Sequence, residues 1–133
     1  MLTFKFFCRL FVSTCLLLAS ALAYPADLTE IRERGVLRHI GIQYANFVTK
    51  EGEGLDVELV RGFARHIGVR YELVLSDFYH VIRDLLGQDV VRQGDTVTLT
   101  GQFPVKGDMI AAGFTVLPWR QAVLSYSTPP TMG

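Results

Sequence analysis

Helix-like and strand-like apolar patterns alternate along this chain from residue 27 onward, and this alternation restricts the fold more than any other feature. Residues 36–42 and 69–75 are short apolar stretches rich in Val, Ile, Leu and Tyr, which is typical of strands. Residues 56–67 and 78–86 repeat apolar side chains at helical spacing. Strands that alternate with helices pack as a sheet with helices on both faces. The pattern therefore predicts an α/β fold.

The remaining segments complete the predicted order. Asp27 is a suitable N-cap for a short helix that ends at Gly35. The Thr-rich alternation within 89–106 predicts a β-hairpin or an extended arm at the surface. Three further elements follow it: a strand over 108–112, a helical turn that begins at Pro118, and a last strand over 122–126.

The first 23 residues have the features of a secretory signal peptide. Lys5 and Arg9 supply its positive charge, an apolar run follows, and Ala21-Leu22-Ala23 is a small-x-small cleavage site. We expect 1–23 to be removed and 24–133 to form one periplasmic domain. The alternative is an uncleaved N-terminal anchor, although the apolar run is short for a membrane span.

Composition excludes several classes of function. Basic and acidic side chains are equal in number, 13 of each, so the chain has no basic surface of the kind that binds nucleic acid. Both cysteines, Cys8 and Cys15, lie in the signal segment, which leaves no disulfide or thiolate chemistry in the mature chain. The three histidines, His39, His66 and His80, lack partners at metal-ligand spacing, and we expect each to be a surface or half-buried residue. No catalytic motif is present, so we predict no enzyme, no metal and no cofactor.

The segment from Gly107 to Ser127 is the best candidate for a binding site. A strand ends at Ala112, and a loop with Thr115 and Arg120 follows it. Ligands of open α/β sheets bind beyond the carboxyl ends of the strands, and arginine can hold a carboxylate with two parallel hydrogen bonds. The alternative is that Arg120 is a surface charge and Thr115 caps a turn.

A set of landmarks spread over most of 27–130 resembles the N-terminal lobe of family 3 periplasmic solute-binding proteins, the amino-acid type that serves ABC transporters. They occur in the order seen in that family: Leu28 to Arg38, Gly41 to Phe47, Gly54 to Leu59, Gly107-Asp108, Phe114 to Arg120 and Tyr126-Ser127. The resemblance implies a type 2 periplasmic-binding-protein-like lobe with a mixed sheet flanked by helices. Members of that family have two lobes, and we expect this chain to stop before the second.

The resemblance also implies roles for individual residues. Tyr44 corresponds to the aromatic residue that packs on the ligand. Gly113 and Thr115 correspond to positions that hold the ligand carboxylate through a backbone N–H or a hydroxyl, and Arg120 to the arginine that pairs with it. The implied ligand is a small amino-acid-like carboxylate. The implied partners are the membrane subunits of an ABC importer, and we expect a monomer.

Three departures from the family pattern concern specificity. Leu117 replaces a Thr or Ser, Pro118-Trp119 replaces a polar pair, and Gln43 stands where an acidic residue is common. We interpret Trp119 as a core residue rather than as a wall of the binding site. Two alternative functions use the same lobe, namely the substrate-binding-like domain of a lytic transglycosylase and that of a sensor kinase.

Overall fold

The computed structural model describes residues 26–127. This part of the chain contains four helices and five strands, in the order α1 Leu28–Arg34, β1 Val36–Ile42, α2 Leu55–Ile67, β2 Arg70–Ser76, α3 Val81–Leu86, β3 Asp89–Gln93, β4 Thr96–Thr100, β5 Met109–Ile110 and α4 Pro118–Gln121. The predicted signal segment lies outside the described residues. Within 26–127, no helix has the length and hydropathy that crossing a membrane requires.

Two small sheets organise these elements. The larger has the order β2–β1–β5, and both of its pairings are parallel. The strands β1 and β2 pair along their whole length, from Val36 opposite Arg70 to Ile42 opposite Ser76. The antiparallel pair β3–β4 forms the second sheet and is the predicted hairpin. The predicted mixed α/β lobe is therefore confirmed.

Helices cover both faces of the parallel sheet because consecutive residues of β1 point to opposite sides. Leu37 is buried in a cluster with Ile31 of α1 and with Val60 and Ala64 of α2. Ile40 points to the other face and packs against α3. Trp119 belongs to this second cluster, which supports its interpretation as a core residue.

The first helix has the predicted residues at both of its ends. Asp27 is the N-cap, and its carboxylate accepts a hydrogen bond of 3.0 Å from the Glu30 N–H. Gly35 ends the helix with a φ of +75°, in the left-handed region where only glycine is free of strain.

The predicted burial is wrong for two side chains. Phe63, predicted on the inner side of α2, is 42% exposed, because Val57, Val60 and Ala64 already fill the contact with the sheet. His39, predicted to be at the surface or half-buried, is fully buried on β1. Its neighbours supply hydrogen bonds to both ring nitrogens, and these bonds are what make the burial of a polar ring acceptable.

The predicted bounds are wrong in three further segments. The strand predicted over 108–112 is limited to Met109–Ile110. The third helix begins at Val81 rather than at Phe78, because the Asp77 carboxylate accepts hydrogen bonds from the Tyr79 and His80 N–H groups and holds a turn there. Residues 122–126 form no strand within the described part of the chain. They lie across a groove from β5 instead of pairing with it.

Two buried carboxylates hold the segment that leads into β5. Asp84 of α3 accepts hydrogen bonds from Ser76 Oγ at 2.6 Å and pairs with Lys106 Nζ at 2.9 Å. The Asp108 side chain is fully buried and pairs with Arg34 and Arg38. The path from the hairpin into the sheet is thus fixed by ion pairs as well as by strand pairing.

Candidate functional site

The carboxyl end of the parallel sheet carries a groove of about 360 Å³. One wall is the continuous segment 108–114, which contains β5 and the turn after it. The other wall is the segment 124–127, and Asp56 and Leu85 contribute from α2 and α3. The groove therefore lies where open α/β sheets bind ligands.

Gly113 forms the turn at the end of this groove. Its φ of +61° lies in the left-handed region, where a side chain would introduce strain. Its N–H donates a hydrogen bond of 2.8 Å to Asp56 Oδ2, a carboxylate in the first turn of α2. The N–H that the family resemblance assigned to a ligand carboxylate is thus occupied by a carboxylate of the protein itself.

Asp56 was not predicted as a site residue. It stands 57 positions before Gly113 in the sequence, so only the tertiary fold brings the two together. Its neighbour Glu58 pairs with Arg61 on the same helix. Its sequence signal is an acidic residue in the first turn of a helix. Such a residue stabilises the N-terminus of any helix, so its presence does not indicate a groove.

Arg120 is buried in an aromatic environment. The residue is 5% exposed, and its Cζ lies 3.9 Å from the ring centre of Phe114, 5.1 Å from that of Trp119 and 5.3 Å from that of Phe78. These rings attract the cation. Of its guanidinium nitrogens, Nη1 donates a hydrogen bond of 3.0 Å to the carbonyl of Thr115. The Nε atom is buried and, among residues 26–127, has no hydrogen-bond partner.

Thr115 lies beside Arg120, as predicted. Its carbonyl accepts two hydrogen bonds, one from Arg120 Nη1 and one of 3.3 Å from the Tyr126 hydroxyl. The residue itself is exposed. Tyr126 also lines the groove, so it links Thr115 and Arg120 to the groove that contains Gly113.

Tyr44 lies apart from these residues. It follows β1, is 62% exposed and stacks on Phe47 with 6.0 Å between ring centres. Its N–H donates to the Val48 carbonyl and closes a small loop. Of the four predicted site residues, only Gly113 lines the groove. Thr115 and Arg120 lie beside it, joined to each other and to Tyr126 by hydrogen bonds, and Tyr44 lies apart from all three.

A buried histidine supports the same turn from beneath. His39 Nε2 is 2.5 Å from the Ala111 carbonyl, and its Nδ1 is 2.7 Å from the Tyr71 hydroxyl. Burial lowers the pKa of His39 below its ordinary value, although the Ala111 carbonyl and the Asp56 carboxylate act in the opposite direction. Burial likewise raises the pKa of Tyr71 to about 12. Both groups are neutral at neutral pH.

Comparison with known proteins identifies similar structures but no family by sequence. No protein-family model matches the chain, and no curated protein does. The fold resembles the crystal structure of an ancestral cyclohexadienyl dehydratase, with 28% identity and a TM-score of 0.53 over 73% of this chain and 35% of that one. It also resembles an ancestral amino acid-binding protein described as a precursor of cyclohexadienyl dehydratase, with 28% identity and a TM-score of 0.52 over 73% of this chain and 37% of that one.

A third similar structure is a single domain. It is a point mutant of the arginine-bound form of domain 1 from TmArgBP, with 24% identity and a TM-score of 0.53 over 77% of this chain and 70% of that one. The chain thus spans about a third of the first two similar structures and most of a one-domain structure, and its fold is that of one lobe. This fold occurs both in an amino acid-binding protein and in a dehydratase.

Proposed function

We propose that this chain is the N-terminal lobe of an extracytoplasmic solute-binding protein for a small amino-acid-like carboxylate, which it delivers to an ABC importer. Arg120 carries the proposal. Its guanidinium, whose buried Nε has no hydrogen-bond partner among residues 26–127, is held against aromatic rings on the loop that follows the carboxyl end of the sheet. An unsatisfied buried donor costs about 1–3 kcal/mol, and a bound carboxylate that reaches the guanidinium would offset part of this cost.

Other observations support the same proposal. One of the similar structures, at 28% identity, is an amino acid-binding protein. Gly113 lines the groove after β5, at the edge where such folds bind ligands, and Thr115 and Arg120 follow it on the same loop and contact each other. Because Asp56 already occupies the Gly113 N–H, the carboxylate of a solute would pair first with Arg120. The aromatic residue Tyr44 would reach a solute only from the rim.

The proposal includes export directed by the signal segment, partnership with an ABC importer and a monomeric state. The intact mass of the protein recovered from the periplasm tests the export step directly. A chain that begins at Tyr24 agrees with it, and a mass that retains residues 1–23 contradicts it. A substrate-binding-like domain of a lytic transglycosylase or of a sensor kinase remains the alternative.

Titration of the purified chain with each of the twenty standard amino acids tests the binding function. We expect weak binding, with a Kd of about 1 mM, because a single lobe leaves the ion pair partly in water. Arg120→Lys should weaken binding about tenfold or more, since lysine lacks the planar fork and a hydrogen bond to a charged group contributes about 1.5–3 kcal/mol.

Arg92→Lys is the matched control. The Arg92 guanidinium lies 4.9 Å from the Trp119 ring centre, but the residue is exposed on the hairpin. Its substitution should leave the affinity unchanged. The proposal is contradicted if no amino acid binds at concentrations up to about 50 times the expected Kd of 1 mM. Equal affinities of the two variants would contradict the role of Arg120.

A further inference from the structure

We propose that Asp56 is a specificity-determining residue of the groove: its carboxylate binds the ammonium group of a solute, so that the groove selects amino acids over carboxylates that lack a positive charge. The proposal rests on the proposed function, which places the solute carboxylate at Arg120, and it adds the partner of the positive group. The feature that carries it is the charge of the groove lining.

The groove lining carries negative charge and no positive charge. Asp56 and Asp108 both line the groove, and none of the lining residues within 26–127 is a lysine, an arginine or a histidine. The Asp108 side chain is 0% exposed and pairs with Arg34 and Arg38, so the protein itself neutralises its charge. Asp56 is therefore the charge that a solute meets in the groove.

Asp56 has a backbone partner but no counter-ion. Its Oδ2 accepts a hydrogen bond of 2.8 Å from the Gly113 N–H. Among residues 26–127 it forms no ion pair, whereas Asp84 pairs with Lys106 and Asp108 with two arginines. A carboxylate has about four lone-pair sites, so a single backbone donor leaves it able to accept further hydrogen bonds. Asp56 is only half-buried, which keeps it accessible from the groove.

The rest of the polar lining is compatible with an ammonium group but does not select it. Ser125, Tyr126 and Ser127 line the groove, and their hydroxyl groups can accept or donate. An ammonium group has three donors and no acceptor, so these hydroxyls can accept from it. Because a hydroxyl serves a donor and an acceptor equally, discrimination by charge depends on Asp56.

Arg120 lies directly behind the groove lining. Phe114 lines the groove, and its ring centre is 3.9 Å from the Arg120 Cζ. The Tyr126 hydroxyl and Arg120 Nη1 donate to the same carbonyl, that of Thr115, at 3.3 and 3.0 Å. A solute with charges of both signs would match both Arg120 and Asp56. A carboxylate without a positive group would gain only Arg120 and would be repelled by the like charge of Asp56.

Three matched pairs of small molecules test the proposal in NMR titrations of the parent chain. Each pair is an amino acid and the carboxylate with the same carbon skeleton and no ammonium group: alanine with propionate, leucine with 4-methylpentanoate, and phenylalanine with 3-phenylpropionate. We expect the amino acid to bind about five- to tenfold more tightly, between the effects of an exposed ion pair and of a buried hydrogen bond to a charge. Equal affinities within every pair would overturn the proposal.

Asp56→Asn tests the residue itself. Asparagine keeps an acceptor for the Gly113 N–H and removes the charge, so the amino acids should lose their advantage over the carboxylates. Glu58→Gln is the matched control, because Glu58 is also on α2 but is exposed and pairs with Arg61; the advantage should persist in it. An advantage that persists in Asp56→Asn, or that is lost equally in both variants, would overturn the proposal. The comparison within the parent chain still decides the matter if Asp56→Asn fails to fold.

The corresponding amines distinguish this proposal from the proposed function. Ethylamine, 3-methylbutylamine and 2-phenylethylamine keep the ammonium group and lack the carboxylate. They should shift the Gly113 amide signal in the parent chain, because Asp56 accepts from that N–H, and an unchanged signal would overturn the proposal. If the amines shift it but an equimolar mixture of the twenty standard amino acids does not bind, the proposed function fails and the role of Asp56 stands. If amino acids and carboxylates bind equally well, the proposed function stands and the role of Asp56 fails.

Discussion

Replacement of Asp108 by alanine should destabilise the lobe more than most single substitutions. The Asp108 carboxylate lies 2.5 Å from Arg34 Nη2 and 2.9 Å from Arg38 Nη2, and it accepts a hydrogen bond of 2.8 Å from the Arg38 N–H. Loss of a partner for a buried donor costs about 1–3 kcal/mol. Loss of a fully buried ion pair costs about 3–5 kcal/mol.

The exposure of the two arginines reduces this cost. Their side chains are 35% and 25% exposed, so water can solvate both guanidinium groups once the carboxylate is gone. We therefore expect a loss of about 2–4 kcal/mol in the free energy of unfolding, from the values above. With a typical urea m-value of about 2 kcal/mol/M, the midpoint should fall by about 1–2 M.

Asp108→Asn is the matched control. It keeps an acceptor for the Arg38 N–H and removes the charge, so its cost should be about half that of the alanine variant, from the hydrogen-bond values above. Burial alone would raise the pKa of Asp108, but hydrogen bonds from Arg38 and Arg34 outweigh burial and lower the pKa. Its contribution to stability should thus be present above the ordinary pKa of 3.8 and be lost as the pH falls below it. An alanine variant within about 0.5 kcal/mol of the parent, the range of neutral surface changes, would refute this account.

Two further predictions concern packing and the hairpin. Gly107→Ala should destabilise the lobe by about 1–3 kcal/mol, because its Cβ would lie 2.8 Å from Ile40 Cδ1 in the core. Gly62→Ala, within α2, should instead stabilise it by up to about 1 kcal/mol, because its Cβ would meet only the end of the Arg65 side chain, at 3.8 Å. Urea unfolding measures both variants, and equal changes in the free energy of unfolding would contradict the packing at Gly107. Deletion of residues 94–101, which removes β4, should leave a cooperative unfolding transition with a change of about 1 kcal/mol or less, since loop-length changes cost little. Loss of cooperativity on calorimetry would contradict this prediction.

The elements of the sheet were predictable because their signals are local. The bounds of β1 and the Asp27 cap follow from residues within seven positions of each other. The same holds for the hairpin, where the turn glycines lie next to the strand in which Thr alternates with apolar residues. Local periodicity did not predict which apolar side chains of α2 would lack room, and Phe63 was placed on the wrong face for this reason.

The placement of the candidate site residues was predicted in part, and the contacts that the prediction missed are non-local. Resemblance placed Gly113, Thr115 and Arg120 on one loop, and the structure brings these three together. The contacts that modify their chemistry join residues far apart: His39 reaches Ala111 across 72 positions, and Asp56 reaches Gly113 across 57. Sequence spacing carries no signal for such pairs, because they depend on which strands become neighbours in the sheet.

The NMR signal of the Arg120 Nε–H group provides the most direct test of the claim that this lobe binds a carboxylate at Arg120. The group has no hydrogen-bond partner within the described residues, so a new acceptor near the guanidinium should change its chemical shift strongly. We expect the Arg120 signal to move when the mixture of twenty amino acids is added. The signals of Arg34 and Arg38, already paired with Asp108, should remain unchanged. Binding that moves other signals and leaves Arg120 unchanged would contradict the account.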